Sequence, residues 1–214
     1  MRLIYHPYFS IYISMFTSIF AFFLWLWMPT RELLHISEEG QIIETLTLYA
    51  YVFAIVIFII MRSPKAVIRW SVVIVLLAML AREADLHKII ADMSIFKLRF
   101  WTGELPLRDK AIAIVILSPI ALAVIYLLRY TSIVLQEMHK NVAHAITIIS
   151  FVVLTILTKI IDRSVGVARE IFDWHSPDWL VALQTSQEEL LELSIPLLAG
   201  IAIVQYRQYM RNMG

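Results

Sequence analysis

A carboxylate and an imidazole lie four residues apart in the segment READLH, at positions 82–87. An α-helix turns by about 100° per residue, so Glu83 and His87 would lie on one face, one turn apart. Groups at that spacing can bind a divalent metal ion together, or can act as an acid and a base. Arg82 would lie between Glu83 and Asp85 around the same helix. An internal salt-bridge cluster is therefore the alternative interpretation.

Carboxylates recur at two further places within long apolar runs. Glu44 lies one turn into such a run, in QIIETLTLY, and Glu192 lies four residues after Glu188. Glu189 has capping-box spacing from a serine three residues earlier, which explains that acid by the helix start alone. An ionisable side chain within a membrane span is costly unless it is paired or hydrated. We therefore expect Glu44 and Glu192 to join the 82–87 segment in one site.

Another group of charged residues alternates in sign around Asp162 and Arg163. Together with Lys159 and Glu170 they fall near one helical face, a pattern that favours self-neutralising pairs. Gly166 lies on the same face and predicts the close approach of a neighbouring helix.

These residues divide into three predicted roles. The predicted acid–base residues are Glu44, Glu83 and His87. The predicted ligands of a divalent metal ion, whose identity the sequence leaves open, are Glu83, Asp85, His87 and Glu192. The predicted supporting residues are Arg82, Asp162, Arg163, Glu188 and Glu189. Acids outnumber nearby cations in this set, and crowded carboxylates either take up protons or recruit a cation.

The elements that hold these residues are long apolar segments. Hydrophobic residues make up 60% of the 214 positions and charged residues only 16%, with a mean hydropathy of +0.77, whereas soluble domains carry about a quarter charged residues. Crossing a hydrocarbon core about 30 Å thick takes roughly 20 apolar residues, and only helices satisfy their own backbone there. Such runs lie at 9–28, 41–61, 70–90, 110–128, 144–162 and 187–206. The sequence predicts an all-α polytopic integral membrane protein, with about six transmembrane helices in one bundle and a single domain over 1–214.

Six spans would place both termini on one side of the membrane. This side, called side A, also holds the connections 62–69 and 129–143, and side B holds 29–40, 91–109 and 163–186. Side A carries eight basic residues and one acid, whereas side B carries ten basic residues and sixteen acids. Raw counts of Lys and Arg narrowly favour side B as cytoplasmic. We assign side A to the cytoplasm because its basic residues crowd short loops such as MRSPKAVIR.

Three functions are compatible with an acidic site at the outer or periplasmic face of a plasma membrane or bacterial inner membrane. The first is a divalent-metal-dependent enzyme that acts on a membrane lipid or a lipid-linked headgroup. The second is a cation- or proton-coupled carrier, and the third is a non-catalytic subunit that docks a basic partner. Nucleic acid is not an expected partner. His139 and His144, near side A, are interpreted as interfacial histidines without an acidic partner.

The topology can be tested by cysteine labelling, because the chain contains no cysteine. In intact cells, a membrane-impermeant thiol reagent should label Glu104→Cys on side B and should leave Lys65→Cys unlabelled until the membrane is permeabilised. Labelling of Lys65→Cys from outside would reverse the assignment of the two sides.

Overall fold

The computed structural model describes residues 3–37, 42–61, 64–86, 94, 95 and 97–213, and the regular secondary structure in these ranges is helical. A single 3-10 turn, Leu3–Tyr5, precedes the first α-helix. In chain order the α-helices are α1 (Phe9–Trp27), α2 (Thr30–Ser37), α3 (Ile42–Ile60), α4 (Ala66–Glu83), α5 (Leu98–Thr102), α6 (Leu107–Leu128), α7 (Thr131–His139), α8 (Ala143–Phe172) and α9 (Asp178–Met213).

Five segments of the described chain are long and apolar enough to cross a membrane. They are α1, the stretch Thr30–Ile60 that contains α2 and α3, and the helices α6, α8 and α9. The predicted all-α polytopic bundle is thus confirmed. The third predicted span, 70–90, corresponds to α4, which ends at Glu83 and has three charged residues in its 18 positions. At about 1.5 Å per residue, α4 is about 27 Å long, close to the thickness of the hydrocarbon core.

The central helix of the bundle is α9. Its most apolar window is 61% buried, whereas those of α1 and α6 are each 11% buried and so face outward. Helices α1, α2, α3 and α8 all pack against α9, and α4 lies against α3 and α6. The largest group of buried apolar side chains joins α3, α4 and α9, through Tyr51, Phe58, Leu76, Ile195 and Leu198. With 36 residues, α9 is about 54 Å long and extends past the hydrocarbon core at one or both ends.

Hydrogen bonds group the chain segments at the two ends of the bundle as the six-span topology requires. Near the N-terminus, the side-chain amide of Gln205 donates to the carbonyl oxygen of Ile4 at 2.6 Å. Tyr8 donates its hydroxyl hydrogen to Asn141 at 3.0 Å, which brings the 129–143 connection to the same end. At the opposite end, the indole of Trp25 donates to the carbonyl oxygen of Trp179 at 2.8 Å.

The prediction that Gly166 permits the close approach of another helix is wrong. A Cβ atom built at Gly166 would meet no atom of the described residues within 4 Å. Helix α8 continues to Phe172, ten residues beyond the predicted end at 162, and most of its side chains past that point are exposed. Gly166 therefore lies on a part of α8 that has left the packed bundle.

Gly166→Ala should raise the free energy of unfolding by about 0.5–1 kcal/mol, because glycine costs roughly that much in a helix interior and the new methyl group meets no neighbour. Thermal unfolding of the purified protein in detergent, followed by circular dichroism, measures the change. A loss of stability would show that a neighbouring surface does contact this turn of α8.

Candidate functional site

The carboxylate of Glu192 lies at the centre of a charged cluster between three helices. Glu192 belongs to α9 and is 5% exposed. Its Oε1 atom accepts a hydrogen bond from Nη2 of Arg82, in α4, at 3.2 Å, and it lies 2.7 Å from Nζ of Lys159, in α8. Two cations from different helices therefore share one carboxylate oxygen. These ion pairs join α4 and α8 to α9 at the side B end of the bundle.

Glu83, the last residue of α4, adds a second carboxyl group to this centre. Arg82 forms an ion pair with Glu83, and its Nε also donates to Oε1 of Glu83 at 3.1 Å. Oxygen atoms of Glu83 and Glu192 both contact Nη2 of Arg82, which brings the two carboxyl groups close together. Two carboxylates this close repel one another, so a shared proton or an added cation stabilises the pair.

Lys159 connects the buried centre with a more exposed edge. Its Nζ lies 3.7 Å from a carboxylate oxygen of Asp162 and 3.7 Å from one of Glu188, in addition to its short contact with Glu192. The side chain of Lys159 is 38% exposed and that of Asp162 is 44% exposed, whereas Glu188 is 14% exposed. The cluster is thus buried around Glu192 and exposed beyond Lys159.

Glu189 and Glu44 extend the negative charge toward α3. Glu189 is half-buried and lies within electrostatic range of Glu44, Glu83, Glu188 and Glu192. Helix α3 approaches α9 at this level, where its Ile43 packs in one buried group with a leucine of α9. The structure therefore brings Glu83 and Glu192 into direct proximity and places Glu44 at the α3 side of the same region.

The predicted helical relation between Glu83 and His87 does not form within α4. The α-helix ends at Glu83, and Asp85 has a left-handed backbone with φ of 53°. Aspartate tolerates this conformation better than most residues, and it ends the helix four residues before the imidazole. The predicted span extended to residue 90 because hydropathy does not detect a backbone break of this kind. His87 lies outside the described residues, so its role as a ligand or base stays a prediction.

The other predicted supporting residues fall into two groups. Arg82, Asp162 and Glu188 take part in the ion pairs of the cluster. Arg163 is exposed on α8 and makes no ion pair with the residues that the structure describes.

Tyr51 is a member of this region that the sequence interpretation missed. It is 1% exposed, belongs to α3, and lies within electrostatic range of Glu83, Glu192 and Arg82. The available signal was its position seven residues after Glu44, which places both side chains toward one face of a helix. A buried tyrosine hydroxyl needs a hydrogen-bond partner, and the carboxyl groups are suitable acceptors.

The carboxylates alone do not form a metal centre in the described part of the chain. No group of three or more His, Asp and Glu side chains there is arranged to hold a metal ion. Glu83 and Glu192 both face Arg82, and Lys159 contacts Glu192, so a divalent ion would have to displace cations that already neutralise these oxygens. The described donors therefore do not fit a metal site without rearrangement.

A second group of titratable residues lies at the other end of the bundle, on side A. His144, in the first turn of α8, is 2% exposed, and its Nε2 lies 3.0 Å from Oε2 of Glu137 in α7. Asn141, with φ of 56°, forms the turn that brings α7 back against α8. Nδ1 of His144 has no hydrogen-bond partner among the described residues. The interpretation of His144 as an interfacial residue without an acidic partner is therefore wrong.

Searches against protein-family models, curated proteins and solved structures found no match to this chain.

Neutralising Lys159 should destabilise the fold because Arg82 is then the one charged partner of Glu192 left among the described residues. For Lys159→Gln we expect a loss of about 1–2 kcal/mol in the free energy of unfolding, less than for a fully buried pair because Lys159 is partly exposed. Glu192→Gln combined with Lys159→Gln should cost less than the two single changes added together. Unfolding of the four proteins in detergent gives this double-mutant cycle.

The matched control is Arg163→Gln, which removes a positive charge from the exposed side of the same helix and should change stability by less than about 0.5 kcal/mol. Strict additivity of the two cluster substitutions would mean that the Lys159–Glu192 contact contributes nothing.

Proposed function

We propose that this chain is a cation- or proton-coupled carrier of a plasma membrane or bacterial inner membrane, and that the carboxylate cluster is its ion site. The cluster consists of Glu83, Glu188, Glu189 and Glu192, with Arg82 and Lys159. The observation that carries the proposal is the pair of carboxyl groups, Glu83 and Glu192, whose oxygen atoms both contact Nη2 of Arg82 inside the bundle.

The charge balance of the cluster favours an exchangeable cation. Among the described residues, the carboxyl groups of Glu83, Glu188 and Glu192 contact two basic side chains, while Glu189 lies nearby and Asp162 adds a further acid at the exposed edge. Ionisable groups in a membrane span are expensive, and they commonly mark ion or proton pathways. A network that served packing alone would be expected to approach neutrality, because uncompensated buried charge is strongly destabilising. The surplus negative charge therefore supports a site that takes up positive charge.

Lys159 provides the means of exchange. Its ammonium group contacts Glu192 at 2.7 Å and has alternative acceptors, Asp162 and Glu188, each at 3.7 Å. An incoming cation or proton at Glu192 would weaken the attraction for Lys159, which could then turn toward the exposed acids. Departure of the ion would restore the original pair. Uptake and release would thus exchange one positive charge for another, so the buried carboxylate is never left without a partner.

A divalent-metal-dependent enzyme acting on a membrane lipid or lipid-linked headgroup is the second candidate. The same carboxyl pair favours it, because two carboxylates near a membrane face can serve as metal ligands and His87 follows Glu83 in the sequence. This function requires the metal to displace Arg82 and Lys159. The docking-subunit alternative is less favoured, because Glu83, Glu188 and Glu192 are turned into the bundle and are poorly placed to meet a partner.

Reconstitution into liposomes tests the carrier. Protein-containing vesicles should dissipate an imposed gradient of at least one of H⁺, Na⁺ and K⁺, read with ion-sensitive dyes inside the vesicles. Glu192→Gln should lower that flux at least tenfold, because it removes the charge that binds the ion. Arg163→Gln should behave like the unmodified protein, since this arginine lies outside the cluster.

Elemental analysis of the same preparations, purified without chelator, separates the two candidates. A stoichiometric divalent metal that is lost in Glu83→Gln, together with no ion flux, would replace the carrier by the metal-dependent enzyme. Absence of both ion flux and bound metal would overturn both candidate functions.

A further inference from the structure

Polar side chains follow the interface of α1 with α8 and α9 through the depth of the bundle. Four side-chain hydrogen bonds connect helices there, and we call their members the polar seam: Ser18 with Gln187, Thr17 with Ser194, Ser10 with Ser150, and Thr147 with Gln205. The distances are 3.0, 3.0, 3.2 and 2.7 Å in that order. All four pairs lie between helices that cross the membrane.

Successive members of the polar seam lie close together along α1 and along α8. Ser18 and Thr17 are adjacent on α1, and Ser14 lies between Thr17 and Ser10, with three to four residues at each step. On α8, Ser150 follows Thr147 by three residues. Steps of three or four residues correspond to about 4.5–6 Å along a helix, a gap that one bridging water can span.

The two ends of the seam lie near titratable groups. At side B, Gln187 is the sequence neighbour of Glu188 in the carboxylate cluster, and its amide group is hydrogen-bonded to Ser18, so water would have to connect the seam with the cluster. At side A, Gln205 and His144 line one cavity of about 230 Å³, which Tyr5, Asn141 and Tyr209 also line.

His144 is placed to exchange a proton at this cavity. It is almost fully buried, its Nδ1 has no hydrogen-bond partner among the described residues, and its Nε2 is held by Glu137. The other titratable groups that face it are Tyr206 and Tyr209, whose rings lie 5.1 and 5.0 Å from the imidazole. A buried ring nitrogen without a partner is costly. A proton donor in the cavity would satisfy it.

We infer that the transported ion is the proton, and that it passes between the carboxylate cluster and the side A cavity along the polar seam, with His144 as the exchange group. The inference rests on the proposed function and names its ion and path. Each hydroxyl or bridging water accepts a proton on an oxygen lone pair and releases its own to the next oxygen, so no group is consumed. The amide groups of Gln187 and Gln205 hold the end hydroxyl groups in place without carrying the proton, and water in the cavity would carry it between Thr147 and His144. The proton leaves a carboxyl group at one end and binds a ring nitrogen at the other.

Interhelical hydrogen bonds of serine and threonine also stabilise helix packing, which is the competing explanation. The polar contacts are, however, concentrated on one side of α9. Apart from the ion pair of Glu192 with Arg82 at the side B end, the contacts of α9 with α3 and α4 are made by apolar groups such as Phe58, Leu76, Ile195 and Leu198. Packing alone does not require the polar side to connect two titratable sites at opposite ends.

Threonine-to-valine substitutions test the path, because they remove a hydroxyl group with almost no change in side-chain size. Thr17→Val and Thr147→Val should each lower proton flux into liposomes at least tenfold. The matched control is Thr155→Val, also in α8, because that hydroxyl group donates only to a carbonyl oxygen of its own helix at 2.9 Å. The control should conduct like the unmodified protein. Melting temperatures of all variants identify any that fold poorly, and Ser194→Ala then replaces them.

The path, the ion and the carrier would each be overturned by a different experimental result. Proton flux that needs Glu192 but is unaffected in the seam variants would overturn the path and leave the carrier standing. Flux of Na⁺ or K⁺ without protons would overturn the proton as the ion. An equal loss of flux in Thr155→Val would show that the effect is not specific to the seam and would also overturn it. Absence of any flux would overturn the carrier itself.

Discussion

The buried carboxylate of Glu192 is the feature on which the arrangement of the helices most depends. A charge in the interior of a membrane bundle is stable only if other groups neutralise it, and here the neutralising groups come from two different helices. Arg82 can reach Glu192 only if α4 ends beside α9, and Lys159 only if α8 crosses α9 at the same level. One ion-paired oxygen thereby constrains the relative position of three helices.

Helix α9 has two chemically different interfaces with its neighbours, and this difference explains how the other helices are arranged around it. Toward α3 and α4, apart from Glu192 and its contact with Arg82, α9 presents large apolar side chains that fill a close-packed core. Toward α1 and α8 it presents Gln187, Ser194 and Gln205, whose partners are small hydroxyl residues. Small residues let helix backbones approach closely in lipid, where the hydrophobic effect provides little attraction between helices.

Hydropathy alone was sufficient to predict the helices, because the apolar runs match the thickness of the membrane. It did not register the left-handed Asp85 that ends α4, and it missed the polar extensions of α8 and α9. The approach of Glu83 to Glu192 was predictable from the cost of isolated charge in a span. The polar seam was not, because single hydroxyl groups are tolerated in apolar helices and their partners depend on how distant segments pack. For Tyr51 the available signal was its seven-residue spacing from Glu44.

Charge distribution along the sequence argues against a continuous ion path, since side A has only one acid in its connections and termini. In the fold, this single acid, Glu137, contacts a titratable partner. The turn at Asn141 folds α7 back on α8, so that Glu137 meets His144 although seven residues separate them. Gln205, in α9, donates a hydrogen bond to the N-terminal segment and accepts one from Thr147. It therefore lies between the Glu137–His144 pair and the interior of the bundle. A titratable group with an acidic partner therefore lies near each end of α9, which the count of acids along the sequence did not indicate.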